Sequence, residues 1–356
     1  MVKRVVIAAG GTGGHIFPAL AVAELLEQQG AQVTWIGTRR GLETQLVPDR
    51  FARVTLPAAQ FNGRGFWARL SAVGALFRSL IAALRVLKQI KPDSVLAMGG
   101  YVSAPVGLAA WLLRYPLIIH EQNAKAGLTN RILSRLATNS FQAFPDALVH
   151  GQPKTIGNPL RGAFFSIATP AMRYDLARVP LRILVLGGSQ GAQAINEVVS
   201  RAWCSFGQKD QIEIWHQTGR HDYQATCQCY GDIAGQPITV VPFIDEVANA
   251  YAWADLVICR AGALTISELA AVGVASILVP YPFAADNHQR SNAEYLTASE
   301  AAICCEQAAL TEAFLHEFWQ RVLNDRQILL KMAQSAKSLS IAAASEQVAA
   351  QCMQSR

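Results

Sequence analysis

The sequence predicts an α/β protein made of two doubly wound parallel-sheet domains. Three observations predict it. Short apolar strands alternate with helical patterns along the whole chain, the alternation restarts after a polar, proline-containing stretch at 163–180, and each half opens with a strand, a glycine turn and a helix. At 356 residues the chain also exceeds what one hydrophobic core usually serves.

Residues 2–8, 33–37, 94–98 and 117–120 read as strands of the first half, and 182–186, 211–215, 238–241, 256–259 and 276–279 as strands of the second. Several are apolar on both faces, as strands buried between two layers of helices must be. The first runs into Gly10-Gly11-Thr12-Gly13-Gly14-His15, after which Pro18 is expected to open a helix over Ala19–Gln29 that Gly30 stops. The strand at 182–186 runs into Gly187-Gly188-Ser189-Gln190-Gly191-Ala192 and a helix over Ile195–Trp203. Glycine lets backbone N–H groups come close to a ligand, and a helix N-terminus carries about half a positive charge. Both turns therefore read as seats for an anionic or sugar-bearing ligand. The two Rossmann-like halves are expected to face each other across a cleft. Their expected limits are 1–162 and 163–337, with the stretch at 163–180 as linker and a C-terminal helix at about 338–356 packing back on the first domain.

Composition narrows the class. Hydrophobic residues make up 51% and charged ones 16%, which suits large buried sheets. A net charge of +6 favours an acidic partner such as a nucleotide, a phospholipid surface or nucleic acid. The seven cysteines are odd in number and lack paired zinc-ligand spacing, so they read as reduced thiols of the cytosol. Met1 leads straight into a strand without a signal-peptide pattern, and Arg114 breaks the best candidate for a spanning helix.

The commoner meanings of a glycine turn fail here. The dinucleotide fingerprint needs a third small residue where Ile16 stands, and the second turn has Ser189 in the second glycine's place. No acid ends the second strand to hold an NAD ribose; Gly37-Thr38-Arg39-Arg40 would rather suit a 2′-phosphate, which keeps NADP as a minority reading. Neither turn carries the Lys-Ser/Thr of a P-loop. The chain contains no Asp-x-Asp, so no metal is expected and helix N-termini with Arg would neutralise a pyrophosphate. No cofactor is implied.

A third constellation is Arg260-Ala261-Gly262-Ala263-Leu264-Thr265-Ile266-Ser267-Glu268 after the strand at 256–259. Glu268 could accept from two adjacent ribose hydroxyls, or could simply favour a helix dipole. The run 286–292 suits sugar hydroxyls or an ordinary solvated loop. Apolar residues 66, 70, 73, 77, 80, 84 and 87 form a helical stripe ringed by Arg64, Arg69, Arg78, Arg85, Lys88 and Lys91. Most of it is expected to pack on its own sheet. Phe77, Arg78, Leu80 and Arg85, with Trp111 as an interfacial anchor, could instead meet anionic lipid, each cation contributing on the order of 1 kcal/mol.

Gly10–His15 with Phe17-Pro18, Met98–Tyr101, His120–Asn123, Gly157–Arg161, Gly187–Ala192 and Arg260–Glu268 together resemble the MurG family, the bacterial UDP-GlcNAc:lipid I N-acetylglucosaminyltransferases that make lipid II. The likeness runs along essentially the whole chain. It implies the two-domain GT-B fold, an inverting transfer without an active-site metal, and peripheral attachment to the cytoplasmic face of the inner membrane. UDP-GlcNAc, lipid I, anionic inner-membrane lipids and cell-wall and division proteins are the implied partners, and nucleic acid is not among them.

The resemblance also implies roles. Thr12, Gly13 and Gly14 would approach donor sugar and pyrophosphate, Asn123 would bind the GlcNAc, and Arg161 would sit by the nucleotide. Ser189 would bind phosphate, the Ile244 backbone would read uracil, and Ala263, Leu264, Thr265, Ile266 and Ser267 would line phosphates and ribose. Glu268 would grip the ribose hydroxyls and Gln289 the GlcNAc, with His288 where some members carry a second Gln. His15 is the candidate base for the acceptor's 4-hydroxyl, or else holds the glycine loop; Glu121 is the second candidate, or else a structural carboxylate. A UDP-GlcNAc 2-epimerase, an NADP-linked oxidoreductase and a non-catalytic peripheral membrane protein are the competing readings.

Overall fold

The computed structural model describes residues 2–39, 41–57, 66–188, 191–231 and 235–354, excepting the side chains of 66–73 and 285. The chain forms two compact units, Met1–Arg161 with Ile341–Arg356, and Gly162–Ser340. Each holds one all-parallel sheet.

The first unit contains strands β1 (Arg4–Ala8), β2 (Gln32–Thr38), β3 (Ala52–Leu56), β4 (Ser94–Ala97), β5 (Leu117–Glu121), β6 (Asn139–Gln142) and β7 (Lys154–Thr155). They lie in the order β3-β2-β1-β4-β5-β6-β7. Alternate side chains of β1 leave on opposite faces, and both faces are dry. Val5 and Ile7 join Ile16, Val22 and Leu26 of the helix Gly13–Gln28 and Val348 and Cys352 of the helix Ala344–Met353. Val6 and Ala8 join Leu87 of the helix Phe66–Ile90 and Val102 and Val106 of the helix Gly100–Leu112. Full burial on two faces is why these strands read as unbroken apolar runs.

The second unit contains β8 (Leu181–Leu186), β9 (Ile212–Gln217), β10 (Ile238–Val241), β11 (Leu256–Cys259), β12 (Ala275–Leu278) and β13 (Ala302–Cys304), ordered β10-β9-β8-β11-β12-β13. Leu181, Ile183 and Val185 pack with Ile195, Val199, Trp203, Leu315 and Trp319.

Several expectations change. The first helix starts at Gly13, with Pro18 inside it. The helix expected at about 338–356 is shorter, Ala344–Met353, and follows a separate helix Gln327–Ser338, with Ala343 at left-handed φ of +64° before it. The stretch at 163–180 is no linker. Arg173 donates to the carbonyls of Tyr251, Ala254 and Gly273, and the Tyr174 hydroxyl donates to that of Asp255. A guanidinium that supplies donors to the unpaired carbonyls of helix ends anchors its segment to the second unit. Burial lowers the Arg173 pKa below its ordinary value.

The apolar stripe divides. Leu87 is fully buried, and Leu80 and Leu84 are packed against the same core. Leu80 therefore leaves the membrane face expected of it, because its turn of the helix lies over the sheet. Phe77 stays out at 62% exposure, with Arg78 and Arg85 exposed and Trp111 at 46%. The side chains of residues 66, 70 and 73 lie outside the described residues.

Candidate functional site

In each unit the strand order reverses between two neighbours, β1 and β4 in the first and β8 and β11 in the second. Chains leaving the carboxyl ends of such strands diverge to opposite faces and open a crevice, the place where doubly wound sheets take ligands. The glycine turns stand there in both units.

In the first unit, half of the opening turn serves a side chain that the sequence did not single out. Glu43, buried in a single helical turn after β2, accepts from the Gly11 N–H (3.2 Å), the Thr38 N–H (2.5 Å) and the Thr38 hydroxyl (2.8 Å). A Cβ on Gly10 would sit 2.8 Å from Glu43 Oε1, one on Gly37 would sit 2.7 Å from its Cγ, and one on Gly41 would overlap the carboxylate. Gly10 and Gly11 are thus committed to the carboxylate. Thr12, Gly13 and Gly14 remain, at a helix N-terminus that no side chain caps. The same carboxylate closes the end of β2, where a 2′-phosphate would have to sit; this opposes the NADP reading.

His15 lies where two turns meet. A Cβ on Gly99 would come within 3.0 Å of its Cδ2, and one on Gly100 within 2.8 Å of the Gly10 carbonyl oxygen. Both glycines have left-handed φ, +95° and +79°, so the backbone passes under the imidazole as no other residue would allow. Thr12 Oγ1 is 3.4 Å from His15 Nδ1. Ser103 secures the second turn by its hydroxyl to the carbonyls of Ala8 (2.8 Å) and Gly99 (2.6 Å).

Glu121 ends β5 almost fully buried. Its Oε1 accepts from the Asn123 N–H (2.9 Å) and Nδ2 (3.2 Å), and its Oε2 from the Gly127 N–H (3.2 Å) and Asn130 Nδ2 (2.9 Å). A carboxylate has about four lone-pair sites, so these donors fill it. Burial raises its pKa, while the four donors pull the other way. The loop carrying Asn123 is built around this carboxylate.

His120, beside it, is fully buried, and burial lowers its pKa to about 4. Its Nε2 donates to the Gly157 carbonyl (2.9 Å) and its Nδ1 accepts from Gln122 Nε2 (3.2 Å), an assignment that a neutral ring satisfies. Asn158 Nδ2 donates to the Gln122 carbonyl (3.1 Å), tying the segment Gly157–Arg161 to the same loop. Arg161 is exposed. A folded pKa below the ordinary 6.5 means that the unfolded chain takes up a proton that the native ring refuses. The stability involved is complete above about pH 6.5 and is lost as pH falls towards 4, roughly 3 kcal/mol in all. Urea unfolding from pH 7 to 4 should therefore show a shallower decline for His120→Gln than for the parent. Parallel curves would exclude the buried neutral histidine as a cause.

In the second unit, contacts link the expected residues along one sheet edge. Gly187 is hemmed by the Thr218 carbonyl, and a Cβ on Gly191 would sit 2.7 Å from Asp222 Oδ2. Ser189 lies outside the described residues. The Ile244 N–H donates to Gln217 Oε1 (3.2 Å), and Gln217 Nε2 donates to the Gly188 carbonyl (3.2 Å). Gly262 opens the helix Ala263–Val272, again without a capping side chain. Leu264, Thr265 and Ser267 are half-buried on it. Ile266 is a correction: its side chain is fully buried and its N–H is given to the Gly262 carbonyl, so it faces the core and not a ligand.

Glu268 accepts from the Tyr251 hydroxyl at 3.0 Å, which orients the carboxylate. Burial and this carboxylate push the Tyr251 pKa well up. Gln289 Oε1 accepts from the Tyr281 N–H (2.8 Å). Arg260 spans the same region, donating to the carbonyls of Val279 and Pro280 and to Gln307, and lying over the Tyr281 ring. Asp286 and Asn287, before Gln289, both take left-handed φ (+52° and +56°), a costly conformation of the kind that collects at ligand sites.

Comparison with known proteins adds to this geometry. Residues 5–142 match the model of the glycosyltransferase family 28 N-terminal domain and 182–348 that of its C-terminal domain. The chain belongs to glycosyltransferase family 28. A relative from Coxiella burnetii, the UDP-N-acetylglucosamine–N-acetylmuramyl-(pentapeptide) pyrophosphoryl-undecaprenol N-acetylglucosamine transferase, is 47% identical over 98% of both chains. The crystal structure of Acinetobacter baumannii MurG is similar at TM-score 0.84 and 39% identity, covering 98% of this chain and 99% of that one. The two-domain GT-B architecture of the family is therefore this chain's. A UDP-GlcNAc 2-epimerase from Neisseria meningitidis bound to UDP-GlcNAc reaches TM-score 0.66 at 13% identity over 99% of each chain, a likeness of fold alone.

Glu43, Tyr251 and Gln217 are the residues that sequence reasoning missed. Each acts through a partner distant along the chain, and each alone reads as an ordinary helix or strand residue.

Proposed function

We propose that this family 28 glycosyltransferase moves N-acetylglucosamine from UDP-GlcNAc to the 4-hydroxyl of the MurNAc of lipid I, giving lipid II with inversion at the anomeric carbon. The observation that carries the donor half is Glu268 held by Tyr251 beside an uncapped helix N-terminus. This pairs a carboxylate aimed for a diol with a seat for the adjoining phosphates. The Ile244 carbonyl suits the N3–H of uracil, and the Gln289 amide NH₂ a sugar hydroxyl. Asn123 supports the GlcNAc and Arg161 the nucleotide.

In the reaction the acceptor oxygen bonds to the anomeric carbon as that carbon's bond to the phosphate oxygen breaks. UDP leaves with the electron pair, and helix N-termini and turn N–H groups stabilise its charge. His15 takes the hydroxyl proton. It lies beside Thr12, Gly13 and Gly14 at the start of the helix Gly13–Gln28, whereas Glu121 already accepts from four donors. The 2-epimerase reading has only the fold behind it.

No described helix is long and apolar enough to cross a membrane. Exposed Phe77 and Trp111 with Arg78 and Arg85 support attachment to anionic lipid of the inner leaflet, on the cytoplasmic side, where lipid I would be met. The test supplies UDP-GlcNAc with a short-chain lipid I analogue and measures UDP release. Release that depends on the acceptor supports the transferase, and release without acceptor, or conversion of the donor sugar, refutes it. In the same system Arg78→Glu with Arg85→Glu should lower the fraction bound to anionic vesicles severalfold and leave the rate on soluble acceptor unchanged. Undiminished vesicle binding would refute a role for this helix in attachment.

A further inference from the structure

Gln217 closes β9 between two loops that the proposed function uses differently. In register it stands beside Leu186 of β8 on one side and Val241 of β10 on the other. β8 runs on into Gly187 and Gly188, and β10 into Pro242–Ile244. The side chain is 5% exposed and bonds to both continuations, Nε2 to the Gly188 carbonyl and Oε1 to the Ile244 N–H, each at 3.2 Å. Its backbone carbonyl accepts from the Gly187 N–H at 2.9 Å. One residue therefore touches the turn on the phosphate side twice and the base-reading backbone once.

We infer that Gln217 is a positioning residue, a strut that sets the spacing between the diphosphate seat that begins at Gly187 and Gly188 and the nucleobase-reading backbone at Ile244. The inference rests on the nucleotide-sugar reading given above. A buried amide with one donor and one acceptor engaged at opposite ends resists both approach and separation of the two loops. Beyond the last ladder bonds, Gly187 N–H to the Gln217 carbonyl and Thr218 N–H to the Val241 carbonyl, no backbone bond among the described residues joins the two loops. The amide chemistry suits the task. Glutamate in its place keeps an acceptor for the Ile244 N–H but presents an oxygen to the Gly188 carbonyl, and leucine removes both contacts at similar volume.

Spacing matters only to a ligand that spans both places. Joining two binding groups gains affinity only when both sites are held at the linker's length. Gln217→Glu and Gln217→Leu should each weaken UDP binding about tenfold, as loss of one or two hydrogen bonds in a nucleotide site predicts. Uridine and inorganic pyrophosphate, which occupy one place each, should bind within about twofold of the parent. In turnover, KM for UDP-GlcNAc should rise about tenfold with kcat within about twofold. Calorimetry for UDP, ligand-observed NMR for uridine and pyrophosphate, and circular dichroism to verify folding complete the measurement. Should the leucine variant fail to fold, the glutamate variant, isosteric and still bonded to Ile244, carries the test. UDP affinity unchanged in folded Gln217→Glu overturns the strut, and so does uridine affinity falling as far as that of UDP, which would mark a direct base contact. Failure of the parent itself to bind UDP would instead overturn the nucleotide reading, and the strut with it.

Discussion

Replacing His15 with alanine should lower kcat about 10²–10⁴-fold while KM for UDP-GlcNAc stays within about twofold. The basis is its position. The ring sits over the Gly99–Gly100 backbone, beside the uncapped start of the helix Gly13–Gln28, in the first unit. Of the donor-binding residues argued above, Ile244, Glu268 and Gln289 belong to the second unit, while Asn123 and Arg161 are the first unit's share. A group that acts on the acceptor's proton affects the chemical step and spares the ground-state donor complex. Steady-state kinetics with the lipid I analogue and calorimetric titration of UDP-GlcNAc separate the two. Loss of donor affinity with the turnover of bound enzyme intact would sink the base assignment and make His15 a prop of the glycine turn. Since Glu121 is already filled by four donors, its alanine variant should behave differently. It should lose stability and Asn123-dependent sugar binding together.

The second large effect should come from Glu43, which touches no proposed substrate. Glu43→Ala removes three hydrogen bonds and leaves the Gly11 and Thr38 N–H groups without acceptors in a cavity lined by Gly10, Gly37 and Gly41. Stranding donors that had a buried carboxylate costs about 3–5 kcal/mol. For a unit of this size that corresponds to roughly 10 °C in the melting temperature of the first unit. Glu43→Gln should cost less, since it keeps one acceptor while turning an NH₂ towards a donor. Differential scanning calorimetry with and without UDP distinguishes the units, because UDP, held mostly by residues of the second unit, should protect that unit more than the first. An alanine variant melting within 2 °C of the parent, a shift of about 1 kcal/mol or less, would show that the glycines, and not the carboxylate, hold the turn.

These residues also mark what was legible in the chain. The central strands β1, β4, β8, β11 and β12 are largely apolar and covered on both faces, so their pattern declares itself without context. The strands missed were β3, β6, β7 and β13. They are short and carry polar or exposed residues, as Arg53 and Thr55 of β3 and the two exposed residues of β7 illustrate. Three of them, β3, β7 and β13, close an edge of their sheet. Such strands exist because a neighbour offers a free ladder, and that information lies in the neighbour.

By itself the sequence determined the fold class, the two glycine turns and the family, since each is carried by local pattern or by motifs kept in order along the chain. Glycine after a buried strand and a helix beginning at once need no distant partner to be recognised. Tertiary structure alone decided which of those glycines are open. Gly10 and Gly11 are committed to a carboxylate 32 positions from Gly11, and His15 is seated on glycines some 85 residues away. It also turned Leu80 and Ile266 into core, filled Glu121 with donors, and brought Tyr251 to Glu268 and Gln217 between two loops. The reason is physical. A hydrogen bond or a steric limit depends on where two segments meet, and the meeting is set by strand order, which no single segment carries.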